Sequence, residues 1–403
     1  MVIAERRVAA PESVGLNTAR LLRMHEIVQT FIDRGVIAGA VTLVARGGQL
    51  AHLEAYGHMD LAAGRSMQSD TIFRLASMTK PIVSVATLML FEAGKLLLTD
   101  PVSAFLPMFR DMQVATAEGL VPADREITVR DLLTHTSGLG SATAGAAFDA
   151  WTSVLRERPA DATLADFVPR MASTPLSFQP GTAWEYSGVF GFDVLARIVE
   201  VVSGIDFERY VQERMFEPLG MRSTTFRVPG EQLNRVSVAY ERGPNGLRAG
   251  TPTGVLADST NPAARYTSGG GGLAGTAEDY AQFCNMLCNG GQLDGERILS
   301  RKTIELMASN HVGNLPIVLG QSDLRGYRFG LGVRVLDSPA EGCTLLSRGS
   351  FGWAGAFGTN SWIDPVEGMI GIMLIQRMPD PGDAELRMLW PRVQTAAYQA
   401  LDD

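Results

Sequence analysis

Strand-like patterning sits at the two ends of this chain, and helical patterning fills the middle. A sheet assembled from both termini has to carry the intervening residues as an insertion, which excludes most simple layered folds. Apolar residues at helical spacing run over 17–33 (Leu21, Leu22, Ile27, Val28, Phe31, Ile32), with Asn17 placed to cap them. Residues 38–56 then read as a hairpin, with strands at 41–44 and 50–55 around a Gly47-Gly48 turn. Helical spacing returns from Ser77 to Ala93 and stops at Gly94. From there to about Phe283 the pattern is helical segments joined by long polar loops. Four stretches near the C-terminus, 330–336, 343–348, 356–363 and 368–376, read as antiparallel strands, and 384–400 as a closing helix. The expected fold is α+β: an antiparallel sheet from both termini, flanked by helices, with a large mostly helical inserted region. One domain over 1–403 is expected, with 1–75 and 285–403 forming the sheet part and 76–284 the helical part. Ligands usually bind where two such parts meet.

Composition narrows the function classes. With 46% hydrophobic residues among 403, the chain can bury a large core, which excludes disorder as its main state. Net charge is −8, from 35 basic and 43 acidic residues, so no basic face is expected for nucleic acid or an anionic membrane. Met1 to Arg7 is charged, with no apolar stretch of secretory length behind it. The most apolar stretch, 81–98, is interrupted by Ser84, Glu92 and Lys95, so no membrane span is expected and a cytoplasmic location is the default. Cys284, Cys288 and Cys343 are too few for a disulfide scaffold and lack zinc-ligand spacing, so they read as free thiols. No His/Asp/Glu cluster points to a metal, and Gly269 to Gly272 lacks the Lys and Ser/Thr of a phosphate loop. The expectation is no metal and no cofactor. The sequence carries no signal for an oligomeric state.

Chemistry enters at Phe73-Arg-Leu-Ala-Ser77-Met-Thr-Lys80-Pro81. Ser77 and Lys80 are three apart at a helix start, so their side chains share one face. A serine hydroxyl needs a neighbouring base to become a nucleophile, and a buried lysine can be that base. The chain has three lysines (Lys80, Lys95, Lys302), so a chance pairing of this kind is uncommon but not negligible. Two further elements add weight. Pro180-Gly-Thr-Ala-Trp184-Glu-Tyr186-Ser-Gly188 is a turn that delivers a tyrosine just before a helix, where its hydroxyl can relay protons. Gly349-Ser-Phe-Gly352-Trp353-Ala-Gly355-Ala356 is rich in small residues, which lets backbone N–H groups approach an oxyanion. Of five histidines, His135, in Thr134-His-Thr-Ser-Gly-Leu, reads as structural rather than as a base, and no Gly-x-Ser-x-Gly nucleophile elbow occurs.

Taken in order, these elements resemble the serine β-lactamase-like superfamily: class C β-lactamases, D-alanyl-D-alanine peptidases and family VIII carboxylesterases. The resemblance spans roughly Pro11 to Leu401 and includes Ile127 to Leu139, Pro180-Gly181-Thr182 and Gly269 to Thr276. It implies a β-lactamase/transpeptidase-like fold, with Ser77 as acylated nucleophile, Lys80 as partner base and Tyr186 as proton relay. The backbone N–H groups of Ser77 and Ala356 would form the oxyanion hole. Two positions depart from the superfamily pattern. Gly188 stands where an amide is expected, and Trp353-Ala354-Gly355 replaces a motif that supplies a cation or hydroxyl. These departures resemble the esterase branch, with Gly188, Trp353 and Gly355 as substrate-binding positions in an apolar, aromatic pocket. The expected partner is a small-molecule ester, with short acyl chains or aryl alcohols. The alternatives are an acyltransferase using the same acyl-enzyme, a β-lactamase or small-amide hydrolase, and a catalytically silent binding protein of this fold.

Overall fold

Asn17 caps the first helix as expected, its side chain accepting the Arg20 N–H at 3.0 Å. The computed structural model describes residues 8–319, 322–378, 380 and 383–403. The sequence reading of Met1 to Arg7 lies outside them. The helices among the described residues include α1 (Thr18–Asp33), α2 (Thr79–Glu92), α3 (Val129–Leu133), α4 (Gly145–Arg156), α5 (Phe190–Ser203), α6 (Ala277–Cys288) and α7 (Ala384–Tyr398).

The main sheet has eight strands. From the N-terminal part come β1 (Gly39–Arg46), β2 (Gln49–Asp60) and β3 (Arg65–Ser66). From the C-terminal part come β4 (Tyr327–Phe329), β5 (Arg334–Leu336), β6 (Phe351–Gly352), β7 (Asn360–Asp364) and β8 (Met369–Leu374). Their order is β4-β5-β6-β7-β8-β1-β2-β3, antiparallel throughout. The two ends of the chain meet where β1 pairs with β8, Val41 opposite Leu374 and Arg46 opposite Met369. β1 and β8 are buried along almost their whole length, because helices cover both faces of the sheet. On one face α1 packs with α7 through Leu21, Met24, Val28, Phe31, Leu389 and Val393. On the other, α6 lies across β1, β7 and β8, joining the sheet to the larger core that α2 and α5 share. α2 is apolar on nearly every side and buried except near its end, as a helix through the centre of a fold must be.

Three strand expectations need correction. Of 356–363, residues 356–358 turn and the strand is β7, from Asn360. Residues 343–348 form no strand. Ser338 caps a short helical turn, Pro339–Gly342, by accepting the Glu341 N–H, and Cys343 ends it in the left-handed region at φ +47°. Pairing stops there because the turn takes up the backbone that a strand would offer. Residues 330–336 are also not one strand. Gly330 N–H bonds to the Val333 carbonyl across a turn at Leu331-Gly332, so β4 and β5 become the arms of a hairpin. The middle of the chain also carries two small hairpins, 113–122 and 240–249, among its helices. Among the described residues, no helix is long and apolar enough to cross a membrane.

Candidate active site

Ser77 sits on a braced turn. Ala76 adopts φ +49°, a conformation that costs an L-residue energy and is kept only when its surroundings enforce it. The enforcement is visible: Thr359 Oγ1 donates to the Leu75 carbonyl (3.1 Å), Thr79 Oγ1 to that of Ala76 (2.7 Å) and the Tyr280 hydroxyl to that of Met78 (2.9 Å). The 3-10 turn Ala76–Met78 runs straight into α2 and leaves the Ser77 N–H in the first turn, where no intrahelical acceptor exists.

Lys80, one turn further, is fully buried, with Nζ 3.1 Å from Ser77 Oγ. Nζ also donates to the carbonyls of Gly188 (2.7 Å) and Gly270 (2.6 Å), and lies 4.9 Å from the centre of the Tyr186 ring. The Gly270 carbonyl is itself held in place. Gly270 N–H and Ser268 Oγ donate to one oxygen of Asp193 on α5, both at 2.8 Å, and the Tyr266 hydroxyl donates to the other at 2.7 Å. Burial pushes the Asp193 carboxyl up to about 6, against the pull of these three hydrogen bonds and of the Lys80 charge. Gly270 has to be glycine, since a Cβ would overlap the backbone of Val189 and Gly188.

Tyr186 stands half-buried on the loop before α5. Its ring packs against His135 (centres 4.7 Å apart) and Trp353 (5.5 Å). Behind these lie Trp184 and Phe329, making a continuous aromatic cluster. The third sequence element closes the site from β6. Gly355 packs directly on the turn before Ser77, where a Cβ would overlap the Leu75 carbonyl and Thr359 Oγ1. This contact brings Ala356 to the cleft, and among the described residues its N–H has no hydrogen-bond partner.

The cleft measures about 730 Å³. Ser77, Tyr186, Gly188, Gly270, Gly271 and Ala356 line its reactive side, while Leu155, Val189, Val255 and Leu256 give it apolar walls. A Cβ on Gly188 would meet nothing within 4 Å, so the missing amide leaves open room. Trp353 and Gly355, expected at the substrate, require correction: neither is among the residues that line this cleft. Trp353 is 2% exposed because it fills the space between Tyr186 and Phe329, and Gly355 is consumed by its contact with Leu75. The cleft also carries two cations that sequence reasoning passed over, Arg156 and Arg158. The Arg158 side chain is only 7% exposed, gives Nη2 to both oxygens of Asp258 (3.0 and 2.8 Å), and lies 4.6 Å over the Tyr266 ring. Asp193, Tyr266, Ser268 and the Arg158–Asp258 pair had no local signal, since their partners lie 73 to 100 positions away in the chain.

A serine three residues before a buried lysine, a tyrosine ring over that lysine and a small-residue strand end beside the serine form a recognisable set. The profile of the family described as Beta-lactamase matches residues 24–393. The chain belongs to the Beta-lactamase family. It is 33% identical to Esterase EstB of Burkholderia gladioli, covering 90% of this chain and 92% of that protein. It is 31% identical to the lovastatin esterase of Penicillium rubens, covering 72% and 73% respectively. Among solved structures, EstCE1, described as a hydrolase with promiscuous acyltransferase activity, superposes with a TM-score of 0.77 at 26% identity, covering 94% of this chain and 99% of that one. The fold is thus the β-lactamase/transpeptidase-like one expected from sequence.

Proposed function

We propose that this member of the Beta-lactamase family is a serine carboxylesterase that works through a Ser77 acyl-enzyme, the whole chain acting as one catalytic unit. The observation that carries the reading is the set of three contacts at Lys80 Nζ. Nζ touches the carbonyls of Gly188 and Gly270 and, at 3.1 Å, Ser77 Oγ. In the unprotonated form that accepts the serine proton, the two carbonyls take up both N–H bonds and the lone pair is left for Ser77 Oγ. Ser77 Oγ attacks the ester carbonyl as its proton passes to Lys80. The developing oxyanion is met by the N–H groups of Ser77 and Ala356. Tyr186 gives its proton to the departing alcohol and recovers one from Lys80. Water then attacks the acyl-enzyme, and the same groups move its proton in the reverse sense.

The apolar cleft walls and the absence of a side chain at Gly188 suit a neutral ester of a small acid or an aryl alcohol. The two relatives named as esterases support this substrate class. The description of EstCE1 supports a second outcome from the same intermediate, in which an alcohol replaces water and the product is a new ester. The test is a panel of esters of graded acyl length, assayed with and without a competing alcohol. Ester cleavage with stoichiometric phosphonylation of Ser77 by an active-site phosphonate is the expected result. A folded protein that neither cleaves esters nor is labelled at Ser77 overturns the reading in favour of a silent binding protein.

A further inference from the structure

His135 lies behind Tyr186 rather than beside the nucleophile. Its backbone adopts φ +59°, in the left-handed region that non-glycine residues seldom occupy. In that conformation it makes two bonds to the tyrosine loop. Its carbonyl accepts the Glu185 N–H at 3.1 Å, and its Nδ1 accepts the Ser187 N–H at 3.1 Å. These bonds land on the residues immediately before and after Tyr186, while the imidazole packs against the tyrosine ring at 4.7 Å. One residue therefore grips Tyr186 by the backbone on both sides and by its ring.

We infer that His135 is the positioning residue for Tyr186, fixing the tyrosine hydroxyl where it can protonate the departing alcohol. The inference rests on the role proposed for Tyr186 above. An Nδ1 that accepts a hydrogen bond carries no proton, so the neutral ring bears its hydrogen on Nε2. Burial, reinforced by the Lys80 charge, holds His135 well below the ordinary imidazole range, so the acceptor is present throughout neutral pH. The rings around it, Trp184, Phe192, Phe329 and Trp353, carry no charge that would oppose this. His135 is not a base for Ser77: Nδ1 is committed to Ser187, and Nε2 is buried without a hydrogen-bond partner among the described residues.

Positioning has a specific kinetic signature here. A nitrophenolate leaves without taking a proton, whereas an alkoxide must be protonated as it departs. A displaced Tyr186 therefore harms alkyl esters far more than activated aryl esters, and a general loss of folding harms both alike. The experiment measures kcat/KM, which reports acylation, for the ethyl and 4-nitrophenyl esters of one acid. The proteins are wild type, Tyr186→Phe, His135→Leu, His135→Asn and the Tyr186→Phe/His135→Leu double variant. His135→Leu is expected to lower the ethyl-to-nitrophenyl ratio by about tenfold or more. His135→Asn should restore most of it, because Oδ1 falls where Nδ1 stood and Asn tolerates positive φ. Added to Tyr186→Phe, His135→Leu should change the ratio little further.

Equal loss on both esters in His135→Leu, with Tyr186→Phe still lowering the ratio, overturns this inference alone. An unchanged ratio in Tyr186→Phe, or no ester cleavage by the wild type, overturns the proposed function and the inference with it. Should His135→Leu fail to fold, 15N chemical shifts of the wild-type histidines decide. A neutral His135 with its proton on Nε2 at pH 7 is expected, and a charged or Nδ1-protonated ring overturns the inference.

Discussion

Lys80 and Tyr186 face the same cleft but are held by opposite means. Lys80 is anchored at its tip, by hydrogen bonds from Nζ to two carbonyls and to Ser77, and one of those carbonyls is backed by a buried carboxylate network. Tyr186 is anchored at its backbone neighbours and its ring face, by His135 and Trp353. A helix sets the first residue's register relative to Ser77 through three positions of sequence. The second stands on a loop, so long-range packing must supply what helical geometry does not. Polar atoms thus anchor the tip of the lysine, and rings pack the face of the tyrosine.

The largest effect that would break this comparison is at the helix. Ser77→Ala should lower ester kcat/KM by at least about 10⁴-fold with an unchanged melting temperature, and Lys80→Ala nearly as much, because members of a catalytic unit are strongly non-additive. A folded Lys80→Ala protein retaining about a hundredth or more of wild-type kcat/KM would mean a base other than the buried lysine.

The next largest effect concerns the ring side. With Trp353 where a cationic motif is expected, and Arg158 already given to Asp258, a β-lactam carboxylate finds no prepared partner of the usual kind. A lost charge-assisted bond costs about 1.5–3 kcal/mol. Simple neutral esters should therefore exceed penicillins in kcat/KM by about ten- to a hundredfold or more. Equal constants would instead assign a carboxylate-binding role to Arg156 or Arg158.

Two glycines sharpen the contrast further. Gly355→Ala should destabilise the protein by about 1–3 kcal/mol and lower kcat, since its Cβ overlaps the turn that carries Ser77. Gly188→Ala, whose Cβ points into open room, should leave the melting temperature unchanged. Similar melting shifts for both would show that the third element is not packed on the nucleophile turn.

A smaller effect is expected at Asp193. Its folded carboxyl titrates at about 6, above the usual value of 3.8, so between about pH 4 and pH 6 the native state holds a proton that the unfolded chain has lost. Stability should fall as pH rises through that window, by roughly 1–3 kcal/mol. Asp193→Asn, whose oxygen can still accept from Gly270 and Ser268 while its NH2 donates to the Tyr266 oxygen, should flatten the slope and be the more stable protein above pH 6. Denaturant titration of both proteins at pH 4.5 and 7 measures it, and parallel curves would disprove the assignment. The smallest effect is at the thiols. Replacing Cys284, Cys288 and Cys343 together by alanine should leave kcat/KM unchanged, because none of them lines the cleft.

The sequence by itself determined what is local. Apolar periodicity and Asn17 marked α1, the Gly47-Gly48 turn marked the first hairpin, and the Ser77–Lys80 spacing on a helix start marked two side chains that meet. Where a local signal competed with a turn, sequence reading failed. Leu345 and Leu346 looked like strand residues, yet Ser338 and Pro339 had already started a helical turn that ends at Cys343. Tertiary structure alone decided which groups surround the pair. Asp193 reaches Lys80 only because α5 packs against α2 and the 266–270 segment lies over both. Trp353 reads as a cleft residue from its place beside Gly355, but β6 turns it into the cluster behind Tyr186. Hydrogen bonding along a helix depends on neighbours three or four residues apart, and is written in the chain. The direction in which a loop or strand-end side chain points depends on residues far away in the chain, 52 positions for the Ser187–His135 bond beside Tyr186, and is settled only when the core closes around it.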